Sequence, residues 1–213
     1  MKTWIALLRG VNVVGANQVP MKALAAAFNR AGFHAVRTYI QSGNIVFQSQ
    51  RGTALTLRIR ISRLILKEFG FEPRVMVISG EELAAAVRGN PFPDADENHK
   101  WLHLYFLAES PKNPDLASLA RLDAAREQFA LKGGIFYLYT PDGFADSVLR
   151  SRIERCLGVA ATARNWRTAN ELLKMLSWGD GPAARVTTGH VSEPRAGPPV
   201  RRRRSARATR THS

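Results

Sequence analysis

The chain has a single cysteine, Cys156, among 213 residues. It therefore cannot close an intramolecular disulfide, and it offers too few thiolates for a cysteine-based zinc site. Leu149, Ile153 and Leu157 surround it at helical spacing, so the thiol reads as a small core residue. No stretch approaches the ~20 apolar residues of a membrane-spanning helix. The first apolar run, Ile5-Ala6-Leu7-Leu8, is cut short by Arg9 and does not read as an export signal, which makes the cytoplasm the expected location. Nucleotide and nucleophile signatures are missing too. No Gly-Lys-Ser/Thr ending marks a P-loop, Gly10 and Gly15 do not meet the dinucleotide fingerprint, and Ser42 lacks the Gly-x-Ser-x-Gly elbow and a nearby base. His99 and His103 fall in a strand-like stretch, where four residues of separation place them roughly 13 Å apart, too far to share an ion. Asp94, Asp96 and Glu97 sit in a Pro-bounded loop and read as a solvated turn. No metal and no cofactor are expected.

Acidic residues are scarce as well. Asp and Glu number 17 against 31 Lys and Arg, a net charge of +14. From Pro182 onward there are eight Arg and one Glu, including Arg201 to Arg204, so half of the excess lies at the C-terminus. With Pro194, Pro198 and Pro199 and few apolar residues, residues 182–213 read as a disordered basic tail, either solubilising or adding salt-sensitive phosphate contacts. The remaining body is basic in its own right. That balance suits nucleic acid, nucleotides or other anions as partners, although charge speaks first to solubility and non-specific association.

The periodicity predicts alternating strands and helices. Trp4 to Leu8 reads as a strand covered on both faces. Pro20 opens a helix with Met21, Leu24 and Phe28 on one stripe, and Gly32 closes it. Val36 to Phe47 reads as extended structure broken at Ser42-Gly43. Over Thr53 to Phe69, Leu55, Leu57, Ile59 and Ile61 alternate as a strand would, while Leu55, Ile59, Leu66 and Phe69 fit a helical stripe. Length and the closing Gly70 favour the helix, with Arg60, Arg63 and Lys67 on a solvated face, and Arg74 to Ile78 is again a strand. A similar order follows a short helix over Glu81 to Arg88: a strand over Trp101 to Leu107, a helix over Leu116 to Leu122, a hairpin around Lys132-Gly133-Gly134, an amphipathic helix over Val148 to Leu157, a strand ending near Arg164, and a helix over Ala169 to Trp178. The expected organisation is two α+β halves, 1–80 and 81–181, followed by the tail, 182–213.

Three polar segments are the candidate functional surface. The loop from Arg9 to Asn17 joins a strand to a helix, where backbone N–H groups can face an anion. Gly10, Asn12, Gly15 and Asn17 are equally the residue types that hold an ordinary turn. Gln41, Ser42, Gly43 and Asn44 fall at the strand break, as an amide-rich ligand shelf or a bulge. Arg164, Asn165 and Trp166 precede the last helix, where Thr168 and Glu171 have capping-box spacing. There Trp166 offers a stacking face and Arg164 a fork for a phosphate, against the commoner arrangement of a buried tryptophan.

Taken together, these segments resemble the bacterial domain-of-unknown-function 1697 family. The resemblance runs over about Lys2 to Leu176, through Leu8-Arg9-Gly10, Asn12, Gly15, Asn17, Met21, Thr38 to Asn44, Phe47, Asn90-Pro91-Phe92-Pro93, Pro141-Asp142-Gly143 and Thr162 to Trp166. It implies an α+β fold of two ferredoxin-like α/β sandwich halves in tandem, and no assigned biochemical role. Similar sequences carry Gly and Lys where this chain has Val14 and Ala16, and Asn and Lys where it has Arg167 and Glu171. The first loop therefore lacks a phosphate-reading lysine. The leading expectation is a binding protein for an anionic ligand, nucleotide or RNA, with Arg9, Asn12, Gly15, Asn17, Gln41, Ser42, Gly43, Asn44, Arg164, Asn165 and Trp166 as its surface. The competing expectation is a small-molecule enzyme, which convergence of the three segments on one pocket of roughly 300 Å³ or more would favour. A scaffold whose sheet edges pair between chains is the third.

Overall fold

Five consecutive buried residues, Trp4 to Leu8, form the middle of the first strand, β1 (Lys2–Arg9). They alternate between two cores: Trp4, Ala6 and Leu8 face one, and Ile5 and Leu7 the other. That explains why the run lacks a polar alternation. This computed structural model describes residues 1–13, 17–96, 98–124 and 126–177. The Arg-rich tail, Gly15 and the Ala16 position lie outside the described residues. The described residues form one compact unit.

Pro20 precedes α1 (Met21–Arg30), which buries Met21, Leu24, Ala27 and Phe28. Next come β2 (His34–Tyr39) and β3 (Asn44–Ser49), then α2 (Ala54–Phe69), which Thr53 and Thr56 cap reciprocally and Gly70 closes at φ 79°. β4 (Arg74–Ser79) completes an antiparallel sheet in the order β2-β3-β1-β4. α1 and α2 cover one face of it around a cluster of Phe28, Phe33 and Phe47. The helix expected over Thr53 to Phe69 forms, but it buries Leu57, Ile61 and Ile65; of the expected stripe Leu55, Ile59 and Leu66 stay exposed, and Phe69 alone packs, half-buried, against the core. Two apolar stripes compete on this helix, and packing selects the one opposite the stripe that the spacing suggested. Arg60 lies over the Phe33 ring and donates to the Ala31 carbonyl, so it is less solvated than its face implied.

Ser79 and Glu82 form the capping box of α3 (Gly80–Arg88), which leads into the second half. There β5 (Leu102–Leu107), α4 (Leu116–Ala120), β6 (Gln128–Lys132), β7 (Ile135–Tyr139), α5 (Ile153–Leu157) and β8 (Ala161–Asn165) repeat the arrangement, with sheet order β6-β7-β5-β8. Both halves are thus ferredoxin-like βαββαβ units. The last helix, α6 (Trp166–Ser177), begins three residues earlier than expected because Asn165, not Thr168, caps it: the Thr168 N–H donates to Asn165 Oδ1 at 2.9 Å. Only Ile153–Leu157 of the helix expected over Val148 to Leu157 is helical. The Glu127 carboxylate accepts from Ser147 Oγ and from the Val148 and Leu149 N–H groups, which holds that stretch as a turn.

The sheet faces turned away from α1, α2, α4 and α5 are not open. Ile5, Leu7, Val46 and Met76 of the first half share one buried cluster with Leu102, Leu104, Phe106 and Tyr137 of the second, together with Leu83 of α3 and Trp166, Ala169 and Leu172 of α6. Tyr137 donates to the Ala86 carbonyl within it. The two halves therefore fold around a common core, and among the described residues neither sheet offers the free face that RNA-binding domains of this architecture use.

Candidate functional site

Two arginines reach across from one half to the other in opposite senses. Arg9, at the end of β1, donates to the Ala161 carbonyl at 3.0 Å and pairs with Glu154 of α5, which also accepts from the Ala161 N–H. Burial pushes the Glu154 carboxyl up, but the bonds from Arg9 and Ala161 and the charges of Arg9 and Arg74 outweigh it and hold the group below its usual range. In the other direction, Arg164 of β8 donates through Nε to Asn44 Oδ1 at 2.5 Å and through Nη2 to the carbonyls of Leu8 and Ser42 at 2.8 and 3.1 Å. Its Nη1 donates to the Ala163 carbonyl and to Thr162 Oγ1. The residue is 9% exposed and, among the described residues, makes no ion pair with a carboxylate. Burial pulls its pKa down to about 10, so it remains charged at neutral pH.

The loops that present these groups are held by their own amides. Asn12, at φ 52°, accepts from the Val19 N–H and donates to the carbonyls of Val19 and Gln41. Asn17, at φ 53°, donates to the Gly10 carbonyl. Asn44 is fully buried and donates to the Tyr39 carbonyl and to Ser42 Oγ. Gly43 adopts φ 72°, and a Cβ there would lie 2.6 Å from Val11 Cγ2 and 2.7 Å from Leu8 Cβ. Asn12, Asn17, Gly43 and Asn44 are thus explained by loop geometry, Asn165 by capping and Trp166 by the common core. Arg164 joins them, because its donors are filled by protein acceptors instead of being open as a fork for phosphate. Gln41 is exposed and, among the described residues, meets the site through its carbonyl, which accepts from Asn12.

The three segments nevertheless converge. Arg9, Gly10, Ser42, Thr162 and Arg164 line one cleft of about 360 Å³ between the halves. Sequence reasoning missed four further residues on its walls: Tyr105, Phe144, Arg150 and Glu154. They come from β5, the loop after β7 and the segment around α5, so no local spacing connects them. The family-like Pro141-Asp142-Gly143 turn just before Phe144 was the nearest signal. The His103 ring stacks on Phe144 at 3.6 Å, and the Arg150 guanidinium lies 5.0 Å from the same ring while donating to the Ala145 carbonyl. His103 Nδ1 is buried without a partner, and burial, then the Arg150 charge, lower its pKa to about 4. Burial raises the pKa of the Tyr105 hydroxyl well above its ordinary value, against the charges of Arg150 and Arg9. The hydroxyl therefore stays protonated beside two arginines. Among the described residues no group of three or more His, Cys, Asp or Glu side chains is placed to hold a metal ion.

Fold and cleft together define a tandem ferredoxin-like α+β protein with a basic cleft between its halves. Residues 1–137 match the family described as "Protein of unknown function (DUF1697)", and the chain belongs to that family. The match takes in the Arg9 and Ser42 segments and ends within β7, short of Arg164. A solved structure, that of the conserved bacterial protein SP0830 from Streptococcus pneumoniae, is similar at TM-score 0.62 and 24% identity, over 82% of this chain and 98% of that one. This likeness shows the fold. No curated protein matches the chain.

Proposed function

We propose that the cleft between the halves binds a small anionic ligand carrying a phosphate or carboxylate group, a nucleotide being the leading class. The observation that carries this reading is the charge on the walls: among the described residues, Arg9, Arg150 and Arg164 stand against the lone carboxylate of Glu154. Arg164 has its donors filled, so it contributes field, while Arg150 is exposed and, among the described residues, is held by the Phe144 ring and loop carbonyls alone. Ser42, Thr162 and the Tyr105 hydroxyl supply neutral polar groups beside these charges. Burial of both inner sheet faces favours a small ligand over RNA laid on a sheet. A cytoplasmic setting belongs to the same proposal; no helix among the described residues is long and apolar enough to cross a membrane.

Calorimetric titration of the full chain with inorganic phosphate, nucleoside mono-, di- and triphosphates and dicarboxylates tests the reading. At least one of these ligands binds, and Arg150→Glu weakens it about 10-fold or more, the scale of losing one charge-assisted contact and adding a repulsive one. No binding across the panel, or an affinity that Arg150→Glu leaves unchanged, defeats it. A second reading, an enzyme acting on such a ligand, is favoured by the convergence of all three segments on the cleft. Turnover of the bound ligand, followed by phosphate release or by chromatography, is its test.

A further inference from the structure

We propose that the groove along β4 is a docking site for an extended acidic segment of a partner protein, which pairs with β4 as a fifth strand of the first sheet. β4 is an edge strand, bonded to β1 on one side. Such edges are ordinarily guarded by charge or proline within the strand. Here Val75, Met76, Val77 and Ile78 form an uninterrupted apolar stretch, and the only charge is Arg74 at the strand's start. The edge forms the floor of two adjoining hollows of about 410 and 520 Å³, which share Arg58, Met76 and Ala108. One wall is α2, with Leu55 and Ile59 exposed at 55% and 43%; Ala108 and Ala160 of the second half contribute the other. Backbone pairing along a free edge, with pockets for alternate side chains, is the physics of strand addition.

Charge selects the occupant. Arg58 and Arg63 on the α2 wall make no ion pair or hydrogen bond among the described residues, and Arg74 adds a third cation. Among the described residues two carboxylates line the hollows against these three cations: Glu72 in the larger, engaged by Ser62 Oγ at 2.9 Å, and Glu109 in the smaller, which leaves the excess positive charge at the Arg63–Arg74 end. A second copy of this chain would bring the same three arginines to its side of the contact, and like charges at an interface are selected against. A segment alternating apolar and acidic residues places one set over Leu55 and Ile59 and the other against the arginines.

The test is fluorescence anisotropy of a labelled peptide alternating valine and aspartate, titrated with the full chain. The same peptide N-methylated at alternate amides, and a valine–lysine counterpart, serve as controls. The acidic peptide binds, both controls bind at least 10-fold more weakly, and the double variant Arg58→Glu/Arg63→Glu loses about 10-fold in affinity at an unchanged unfolding midpoint. The Arg-rich 182–213 segment is common to both proteins, so its own attraction for acid cancels in the comparison. Absence of binding, equal affinity for the N-methylated peptide, or affinity retained in the double variant overturns the proposal. So does a dimer in sedimentation that the double variant dissolves, since the groove's occupant is then a second copy.

Discussion

Replacing Arg164 by Met keeps an unbranched apolar stem and removes a guanidinium that makes five hydrogen bonds of 3.2 Å or shorter, three of them to residues of the other half. At about 1.5 kcal/mol each, the low end for a charged donor, these bonds come to about 7.5 kcal/mol. The burial that lowers the guanidinium pKa from 12.5 to about 10 acts the other way and is worth about 3 kcal/mol. A net loss of about 4 kcal/mol is expected, in line with the cost of removing one member of a buried charged network. Urea unfolding followed by circular dichroism measures it, provided the m-value confirms a single transition. Arg164→Lys keeps the charge but not the fork, and it retains most of the loss because an ammonium cannot reach acceptors spread over Asn44, Leu8 and Ser42. Asn44→Ala costs less in the Arg164→Met background than in the wild type, by about 1 kcal/mol or more, because Oδ1 has already lost its donor. A loss under about 1 kcal/mol for Arg164→Met, or additive effects with Asn44→Ala, would refute the account of Arg164 as a clamp between the halves.

Two further perturbations separate local from shared causes. Gly10 and Gly43 have nearly the same backbone, φ 75° and 72°, but a Cβ at Gly10 meets nothing within 4 Å while one at Gly43 collides with Val11 and Leu8. Gly10→Ala should therefore cost about 1 kcal/mol, the strain of the left-handed conformation alone, and Gly43→Ala at least about 2 kcal/mol more, by thermal or urea unfolding. Equal costs would mean that the β2–β3 loop yields. His103 has a folded pKa of about 4 against 6.5 when unfolded, so between these values the unfolded chain binds the extra proton. Its contribution makes stability fall as pH drops from 6.5 to about 4, by about 3 kcal/mol, with no further loss from this group below that window. His103→Leu removes that slope, and stability against pH for the two proteins checks it; parallel curves would show that His103 is not held neutral.

The repeated order of elements was legible because each helix and strand carries its own periodicity: β1 through its unbroken apolar run, α2 through its length and Gly70, the second hairpin through Gly133-Gly134. Which face of a helix is buried was not always legible, since α2 carries two apolar stripes and only tertiary packing chooses Leu57, Ile61 and Ile65. Nor does any residue of either half announce that the inner sheet faces close on each other. Ile5 and Leu7 say that β1 is covered on both sides without saying by what.

The site divides along the same line. The three polar segments were visible as a set, and they do meet, but their amides and Arg164 serve chiefly to join the halves. A charge that is fully hydrogen-bonded inside the protein cannot also be the hand that takes a ligand. It does, however, fix the positions of Leu8, Ser42 and Asn44 and leaves a positive field at the back of the cleft. On the proposed anion-binding reading, contact with the ligand falls to Arg9, already paired with Glu154, and above all to Arg150, exposed and held by a ring face and carbonyls. The difference between these arginines is burial, which sequence spacing does not encode. Consequently Arg164→Met should act mainly on stability and Arg150→Glu mainly on binding, and an anion affinity that followed Arg164 while ignoring Arg150 would reverse the assignment.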